Sequence, residues 1–416
     1  MKKTLIFLIA LLTFLNAQDL SLTNYRWRID ESSANKFHFT CNAGFNIPMH
    51  AYAEKRFHIN DHVGMTYGVV ISNENDIGAT SVRPDFPIFS TARFYRGEVN
   101  FHYKNFDIHL GRHLQDVDPI QQRTIWNKNR LTGDGIFWSW DFLENWRFEN
   151  SIEFLPSEKL SRDQVFERIL NYHAIIWEYQ KFKLFLGEID LYTGINRGVS
   201  LQRSNPFIPY AIHMIDSHDK FLPGFLGDDE NFIIIAGLEF RIIENMLFKS
   251  FFYLDDIQID AADRERLSDN YLSYNELYFN FNENFRASVQ FSFSDLAMGW
   301  HQGPYTSFVA YGHELLPHTF GEIYSAGINM NFSHKFFETY LKGFVNKKAV
   351  IDPYDDYSQL HYLYLHEVQD NLEKVTIMGL DVKTGFYIFK NLALWGHLRL
   401  ETNENPVYNL ILQTYF

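Results

Sequence analysis

The sequence has little of what marks several large classes of protein. Its 416 residues include a single cysteine, Cys41, so no intramolecular disulfide framework can form. Beyond the N-terminal segment no run of about twenty apolar residues occurs, so we predict no transmembrane helix. The formal charge is −14 and no strong basic patch offsets it, so no nucleic-acid partner is expected.

The N-terminus carries the pattern of a secretory signal peptide. Lys2 and Lys3 form a short basic region, residues 5–15 are apolar, and the small residue Ala17 ends the segment. The apolar stretch is shorter than a membrane-spanning helix needs. We therefore predict a cleaved signal peptide over residues 1–17, whose removal leaves 35 of the 37 basic residues against 51 acidic ones.

Aromatic residues are abundant although the chain is not hydrophobic on average. They make up 17% of the residues, with 40 Phe and 24 Tyr, while the mean hydropathy is −0.25. Many aromatic residues without long apolar runs suit a β-barrel that has one apolar face and one polar face.

Several segments alternate between apolar and polar residues. Residues 285–294, 324–332 and 392–401 place apolar side chains at alternate positions with mainly polar ones between them. A period of two over about ten residues is typical of a strand and not of a helix. A membrane barrel needs such strands, because one face contacts lipid, the other lines the lumen, and every backbone group pairs between strands.

Short turns of similar composition recur between the alternating runs, and we interpret them as periplasmic hairpin turns. Asn, which tolerates positive φ, is common in them, and the flanking aromatic residues are expected to form a girdle at the membrane interface. The turns lie at residues 103–106, 143–146, 179–182, 243–246, 282–285, 333–336 and 389–392, with a weaker eighth at Asn60-Asp61.

Longer connections that are polar or contain Gly and Pro separate these hairpins. They are residues 74–88, 114–133, 156–168, 193–230, 259–269, 298–319 and 347–372. Eight turns join about sixteen strands, and a first and a last strand bring the total to about eighteen. The predicted fold is therefore all-β: a transmembrane antiparallel β-barrel of about 18 strands with short periplasmic turns and long extracellular loops.

The two ends of the chain complete the predicted domain organisation. The last predicted strand alternates between apolar and polar residues and ends at Phe416. A terminal Phe after such a strand resembles the C-terminal signal that the barrel-assembly machinery reads. We assign residues 36–416 to the outer-membrane barrel. Residues 18–35 fit no strand and are interpreted as a periplasmic N-terminal tail or a small plug.

The polar positions of the alternating strands predict a lumen lining that mixes both signs of charge. An ordinary solvated interior and a polar translocation path both fit this mixture, since about eighteen strands leave room for an aqueous channel unless loops fill it. The predicted lining contains Arg96, Glu98, Arg147, Glu149, Glu153, Glu276, Arg286, Lys342, Asp381, Lys383, Arg399 and Glu401.

No catalytic constellation stands out in the sequence. His-Glu-x-x-His, Gly-x-Ser-x-Gly and Walker motifs are absent, and no Ser-His pair has a distinctive spacing. His102 and His109 fall on the lumen-facing set without metal-ligand spacing. The pair Asp255-Asp256 fits a Ca²⁺ site, but solvated loop acids are commoner. We therefore expect no enzyme activity, no catalytic residue, no metal and no cofactor.

The longest predicted loop contains the most distinctive string. Residues 191–209 read LYTGINRGVSLQRSNPFIP, and residues 253–258 read YLDDIQ. This part of the chain resembles the capsule-assembly Wzi-type outer-membrane family, in which an aromatic residue and a glycine precede Gly-x-Ser-Leu and Ser-Asn motifs. The resemblance implies an eighteen-strand barrel that holds surface polysaccharide. The chain differs from that family in having no room for a long N-terminal helical part.

A second string is similar to alginate-export barrels. It comprises Leu110-Gly111-Arg112, followed by Arg123, Trp126, Asn127, Asn129 and Asp134-Gly135. Those barrels also have about eighteen strands and pass an anionic polysaccharide. Guanidinium groups suit carboxylates and aromatic rings suit sugar rings, although such residues also pack loops together.

We expect a non-enzymatic barrel of the Gram-negative outer membrane that binds, anchors or exports surface polysaccharide in capsule assembly; a general diffusion porin for small solutes is the alternative. Expected partners are outer-membrane lipid and lipopolysaccharide, the barrel-assembly machinery, which reads Phe416, and surface polysaccharide. The residues expected to bind polysaccharide or line the pore are Arg112, Arg123, Trp126, Arg130, Tyr192, Arg197, Arg203, Ser204 and Asn205.

Overall fold

The computed structural model describes most of the predicted barrel. The described residues are 35–42, 49–72, 91–112, 134–155, 158–159, 165–195, 205, 207–210, 230–256, 270–296, 298, 309–310, 313–314, 321–350, 371–389, 392–402 and 407–415. The predicted signal peptide, nearly all of the predicted tail or plug, and Phe416 lie outside these residues.

The described part of the chain consists almost entirely of β-strands. The strands are β1 (Asn35–Asn42), β2 (Met49–His58), β3 (Val63–Ser72), β4 (Thr91–Tyr103), β5 (Phe106–Arg112), β6 (Asp134–Leu143), β7 (Trp146–Phe154), β8 (Glu158–Lys159), β9 (Val165–Tyr179), β10 (Phe182–Ile195), β11 (Glu230–Ile243), β12 (Met246–Asp256), β13 (Asn270–Asn282), β14 (Phe285–Ser294), β15 (Val309–Ala310), β16 (His313–Glu314), β17 (Glu322–Ser333), β18 (Phe337–Ala349), β19 (Lys374–Phe389), β20 (Leu392–Glu401) and β21 (Val407–Tyr415). Among the described residues, no helix is long and apolar enough to cross a membrane.

Eighteen of the strands form one closed antiparallel ring. The main sheet has 19 strands, of which the two-residue strand β8 pairs only with β9. Consecutive ring strands pair with each other, including β7 with β9 and β14 with β17. Strand β1 pairs with β2 on one side and with β21 on the other, which leaves no free sheet edge in the ring. The predicted barrel of about eighteen strands is confirmed.

The predicted hairpins are the hairpins of the structure. Each of the eight predicted turns lies between two paired strands, and residues 390–391 of the last turn lie outside the described part of the chain. The long connections lie at the other end of the barrel, but the strands extend further into them than predicted. Strand β9 begins at Val165, β10 ends at Ile195 and β18 ends at Ala349.

The turn asparagines serve a different purpose from the one their conformational freedom suggested. Among the described non-glycine residues, positive φ occurs at Lys104 (54°) and Gln180 (52°), not at Asn. Instead, the side-chain Nδ2 of Asn105 donates to the backbone carbonyl of Asp141 at 2.5 Å, and the backbone carbonyls of Asn105 and Asn145 accept the N–H groups of Asp141 and Glu178, each at 2.9 Å. These bonds join each hairpin to the next strand of the ring.

The two faces of the barrel wall separate as the alternation predicts. In β14, Val289 and Phe291 are 47% and 48% exposed, whereas the intervening Ser288, Gln290 and Ser292 are buried. Exposed apolar side chains therefore mark the outward, lipid-facing positions, and the alternate positions face the lumen.

Aromatic rings stack from strand to strand around the end of the barrel that bears the short turns. Trp146 of β7 lies 6.4 Å from Trp177 of β9, and Phe182 of β10 lies 4.5 Å from Phe240 of β11, measured between ring centroids. Such a band is the interfacial girdle that the flanking aromatic residues predicted.

The lumen is less polar than a fully solvated interior would be. A buried apolar cluster lies on the lumen-facing positions of β9 to β13, and Met298, from the connection after β14, packs into it. Its members include Leu170, Tyr172, Ile189, Leu191, Ile233, Ile235, Phe251, Tyr253 and Leu272. The period of two that predicts an apolar outward face does not reveal this cluster, because its apolar residues face the lumen.

Candidate functional site in the barrel lumen

Opposite charges alternate along one row of the lumen wall. Lys183 of β10 is the register partner of Glu239, Glu239 is the partner of Lys249, and Lys249 is the partner of Glu276. The Nζ of Lys249 lies 3.5 Å from Oε1 of Glu239. Because each charge has an opposite neighbour on the adjacent strand, this part of the wall offers a ligand little net charge.

Neutral and acidic side chains form hydrogen bonds with one another on the lumen face of β17, β18 and β19. The hydroxyl of Tyr340 donates to Oδ1 of Asn329 at 3.0 Å. The carboxylate of Glu338 accepts the Nδ2–H of Asn331 at 2.8 Å and the hydroxyl of Tyr387 at 3.1 Å. These internal bonds occupy the polar groups of β17, β18 and β19 nearest the short turns.

An aromatic ring lies flat against the wall further along β18. The register partners of Phe344 on the neighbouring strands are Gly327 and Gly379, and the side chain of Gln290, the next residue in the row, reaches over Gly327. A Cβ on Gly379 would lie 2.2 Å from Cζ of Phe344, which means that the ring covers the glycine. The Nζ of Lys342 lies 5.3 Å from the ring centroid, a cation–π distance.

Charged side chains occupy the positions beside this ring. Lys342 is the register partner of Asp381, and Asp381 is the partner of Arg399. The Nε of Arg399 donates to Oε1 of Glu401 at 2.7 Å, and Oδ1 of Asp381 lies 2.9 Å from Nε2 of His397. We call Gly327, Lys342, Phe344, Gly379, Asp381, Arg399 and Glu401 together the lumen shelf.

The lumen shelf combines a half-buried aromatic ring with donors and acceptors of both charges. Lys342 and Arg399 lie two strands apart, a separation of roughly 10 Å. Apolar or aromatic surface with a few placed polar groups is what small-molecule sites generally contain. A sugar ring offers an apolar face and hydroxyl groups, and a uronic acid adds a carboxylate that suits the guanidinium fork of Arg399.

Carboxylates line the opposite side of the lumen. In a closed ring of eighteen strands, those nine places apart lie opposite each other, so β6 and β7 face β18 and β19. Lumen-facing acids of β4 to β7, which we call the acidic wall, are Glu98, Asp107, Asp141, Glu149 and Glu153. Asp141 is paired with Arg147 at 2.6 Å, and Asp107 with His102 at 2.5 Å. The side chain of Arg96, also on β4, lies outside the described ones.

The residues predicted from the sequence to bind polysaccharide do not meet at one described place. Nε and Nη2 of Arg112 donate to the two carboxylate oxygens of Asp134 at 2.9 and 2.6 Å across β5 and β6. Tyr192 is buried near the end of β10. The backbone N–H of Phe207 donates to the side-chain oxygen of Asn205 at 3.1 Å, which gives Asn205 a role in a turn.

The other predicted binding residues stay predictions. Arg123, Trp126, Arg130, Arg197, Arg203 and Ser204 lie outside the described residues. Lys342, Asp381, Arg399 and Glu401 were predicted as lumen lining, and the structure places them on one part of the wall. Phe344 was missed, because nothing local in the sequence shows that glycines flank it on both neighbouring strands.

The described histidines and carboxylates offer no metal centre. Among the residues that the structure describes, no group of three or more His, Cys, Asp or Glu side chains is placed to hold a metal ion.

Comparison with known proteins supports the fold. No family model and no curated protein matches the sequence. One similar solved structure is Wzi, an outer-membrane protein involved in group 1 capsule assembly in Escherichia coli and a carbohydrate-binding β-barrel. It has a TM-score of 0.60 and 9% identity, and the match covers 92% of this chain and 84% of that one. Pseudomonas aeruginosa OccK8 (OprE) has a TM-score of 0.51 and 8% identity, and P. aeruginosa OpdK a TM-score of 0.50 and 9% identity, each over 92% of this chain and 96% of the other. The fold is that of outer-membrane β-barrels.

Proposed function

We propose that this chain is a non-enzymatic barrel of the Gram-negative outer membrane that binds or exports an anionic surface polysaccharide through its lumen shelf. The observation that carries the proposal is the ring of Phe344, which covers Gly379 and lies beside Lys342. The likeness to a carbohydrate-binding barrel supports it.

Two kinds of contact would hold the sugar. The face of Phe344 that is turned away from Gly379 would stack on a sugar ring, and Lys342 and Arg399 offer charge-assisted hydrogen bonds to carboxylates. Such a bond contributes about 1.5–3 kcal/mol when shielded from water. The side chain of Arg399 is 44% exposed, so solvent lowers its contribution to roughly 1 kcal/mol or less.

The proposal also includes the membrane contacts of the barrel, its assembly and the process in which it takes part. The exposed apolar residues around the wall suit contact with outer-membrane lipid and lipopolysaccharide, and Phe416 is the residue that the barrel-assembly machinery would read. Capsule assembly is the process that the likeness to Wzi favours.

Titration calorimetry on the purified full chain in detergent tests the binding site, whether or not the lumen conducts. We expect oligogalacturonate to bind more tightly than a neutral maltooligosaccharide of equal length. Phe344→Leu keeps an apolar side chain but loses the ring, so it should weaken both ligands. Arg399→Gln should weaken oligogalacturonate alone, by up to about fivefold for a loss of ~1 kcal/mol.

Lys249→Gln is the matched control, because it removes a positive charge from the self-neutralising row far from Phe344. It should leave both affinities unchanged. Equal affinity for the two ligands, or binding that is indifferent to Phe344, would contradict the proposal.

A general diffusion porin for small solutes is the second candidate. The ion-paired row of Lys183, Glu239, Lys249 and Glu276 favours it, because a wall of mutually neutralised charges selects weakly among solutes. In that case neither saccharide should bind measurably, and conductance should scale with salt concentration without saturation.

A further inference from the structure

Three polar side chains lie in one row of lipid-facing positions on adjacent strands, and Asn171 and Asp190 lie on the same face in the next row. The exposed residues Ile175 of β9 and Leu186 of β10 mark the outward face of these strands. By the two-residue period of a strand, His173 and Glu188 also face outward, and so does their row neighbour Asn150 of β7. Asn150 is the register partner of His173, and His173 is the partner of Glu188. We call these three residues the outer-wall island.

The outer-wall island interrupts an apolar row. On one side the register partner of Asn150 is Trp138, and on the other side the partner of Glu188 is Ile234. Phe154 lies further from the short turns than Asn150 on the same strand, and it is 43% exposed. The island therefore lies within the apolar band, where charged groups facing lipid cost up to about 2–4 kcal/mol for the basic ones and less for acids.

A segment of the connection between β10 and β11 covers the island. The backbone N–H of Tyr210 donates to Oε2 of Glu188 at 2.7 Å, and Nε2 of His173 lies 3.1 Å from the same oxygen. The rings of Tyr210 and His173 lie 4.3 Å apart, and Phe207 stacks on Phe148 at 5.7 Å. We call residues 207–210 the strap.

The outer side of the strap is apolar. Phe207 is 69% exposed, and Pro209 is also exposed, whereas Tyr210 is 2% exposed and turned toward the island. Beside the strap, Leu186 is 60% and Ile175 is 44% exposed. The strap thus replaces a polar area of the wall by an apolar one that is continuous with the lipid-facing band.

We propose that the strap is a lipid-contacting element, with Phe207 against the acyl chains of the bilayer and Glu188 holding the strap to the barrel wall. In this arrangement a segment of a long connection lies along the outside of the barrel. Its inner side provides partners for Glu188 and His173, and its outer side restores the hydrophobic surface that lipid requires.

Accessibility of a nitroxide spin label on the full chain in phospholipid vesicles tests the proposal. The label is attached at Phe207→Cys in a background in which Cys41 is replaced by Ser. We expect high collision with oxygen and low collision with a water-soluble nickel chelate. Leu186→Cys is the lipid-facing reference, and Val350→Cys, in the connection after β18, is the water-facing reference.

A chelate accessibility at position 207 equal to that at position 350 would overturn the proposal, because the strap would then lie in water. Low accessibility to both reagents would also overturn it, because another protein surface would then cover Phe207. Each variant is first checked for folding by its heat-modifiable migration in gels.

The role of Glu188 has its own test. Glu188→Ala removes the acceptor of the Tyr210 N–H, so the spectrum of the label at position 207 should show faster motion. Glu178→Ala removes an exposed carboxylate from the same hairpin and should leave the spectrum unchanged. An unchanged spectrum in Glu188→Ala would refute the attachment through Glu188.

Discussion

Gly111 has a backbone conformation that only glycine adopts easily. Its φ is +107°, and an added Cβ would lie 2.1 Å from the carbonyl oxygen of Gly97 on the neighbouring strand. The next residue, Arg112, makes the two-bond ion pair with Asp134. The Leu110-Gly111-Arg112 string, noted for its similarity to export barrels, therefore has a structural purpose that is independent of any ligand.

Replacing this glycine should destabilise the barrel. In Gly111→Ala the clash and the unfavourable φ should lower the free energy of unfolding by at least about 1–3 kcal/mol. The measurement is urea-induced unfolding in detergent followed by intrinsic fluorescence. Gly97→Ala is the matched control, since nothing lies within 4 Å of its added Cβ. Equal unfolding midpoints for the two variants would show that the local backbone relaxes at no cost.

At the scale of the elements, the hairpins could be predicted from the sequence, but the residues that meet across neighbouring strands could not. The period of two, the turn strings and the interfacial aromatic residues lie close together in the sequence, and the structure confirms all three. Register between strands depends on contacts across the ring, so the glycines beside Phe344 and the row of Asn150, His173 and Glu188 had no local signal. The buried apolar cluster was also missed, because lumen-facing and lipid-facing apolar residues look alike in one sequence.

The hairpins also define an orientation that labelling in intact cells can test. Because outer-membrane barrels have short turns on the periplasmic side, cysteines at Asn105 and Asn284 should be inaccessible to an impermeant thiol reagent. A cysteine at Val350, at the opposite end of the barrel, should react. Cys41 is replaced beforehand, and permeabilised cells provide the control in which all three positions react. Labelling at Asn105 but not at Val350 would reverse the orientation.

For the whole molecule, the charge pattern of the lumen is uneven across the barrel. The acidic wall on β4 to β7 faces strands on which Lys342, Lys383 and Arg399 are matched in number by Glu338, Asp381 and Glu401, while the row between them is self-neutralising. An excess of one sign of charge on one wall produces a field across the lumen. The acidic wall therefore repels an anionic ligand toward the lumen shelf, where charges of both signs balance.

Asp381 limits the attraction of Lys342 and Arg399 for an anion, because it is the register partner of both and lies 2.9 Å from His397. Asp381→Asn should leave the two cations less neutralised and remove a repulsive charge beside a bound carboxylate. Two unit charges about 5–6 Å apart interact by roughly 1 kcal/mol in a well-solvated lumen. Oligogalacturonate should therefore bind up to about fivefold more tightly, whereas a neutral maltooligosaccharide should not.

The gain should disappear in 1 M salt, where the screening length falls to about 3 Å. Glu239→Gln is the control, since it removes an acid from the self-neutralising row on another part of the wall. Tighter binding that persists at high salt would point to a change of shape at the shelf, and unchanged binding would mean that the carboxylates of the ligand do not lie near Asp381.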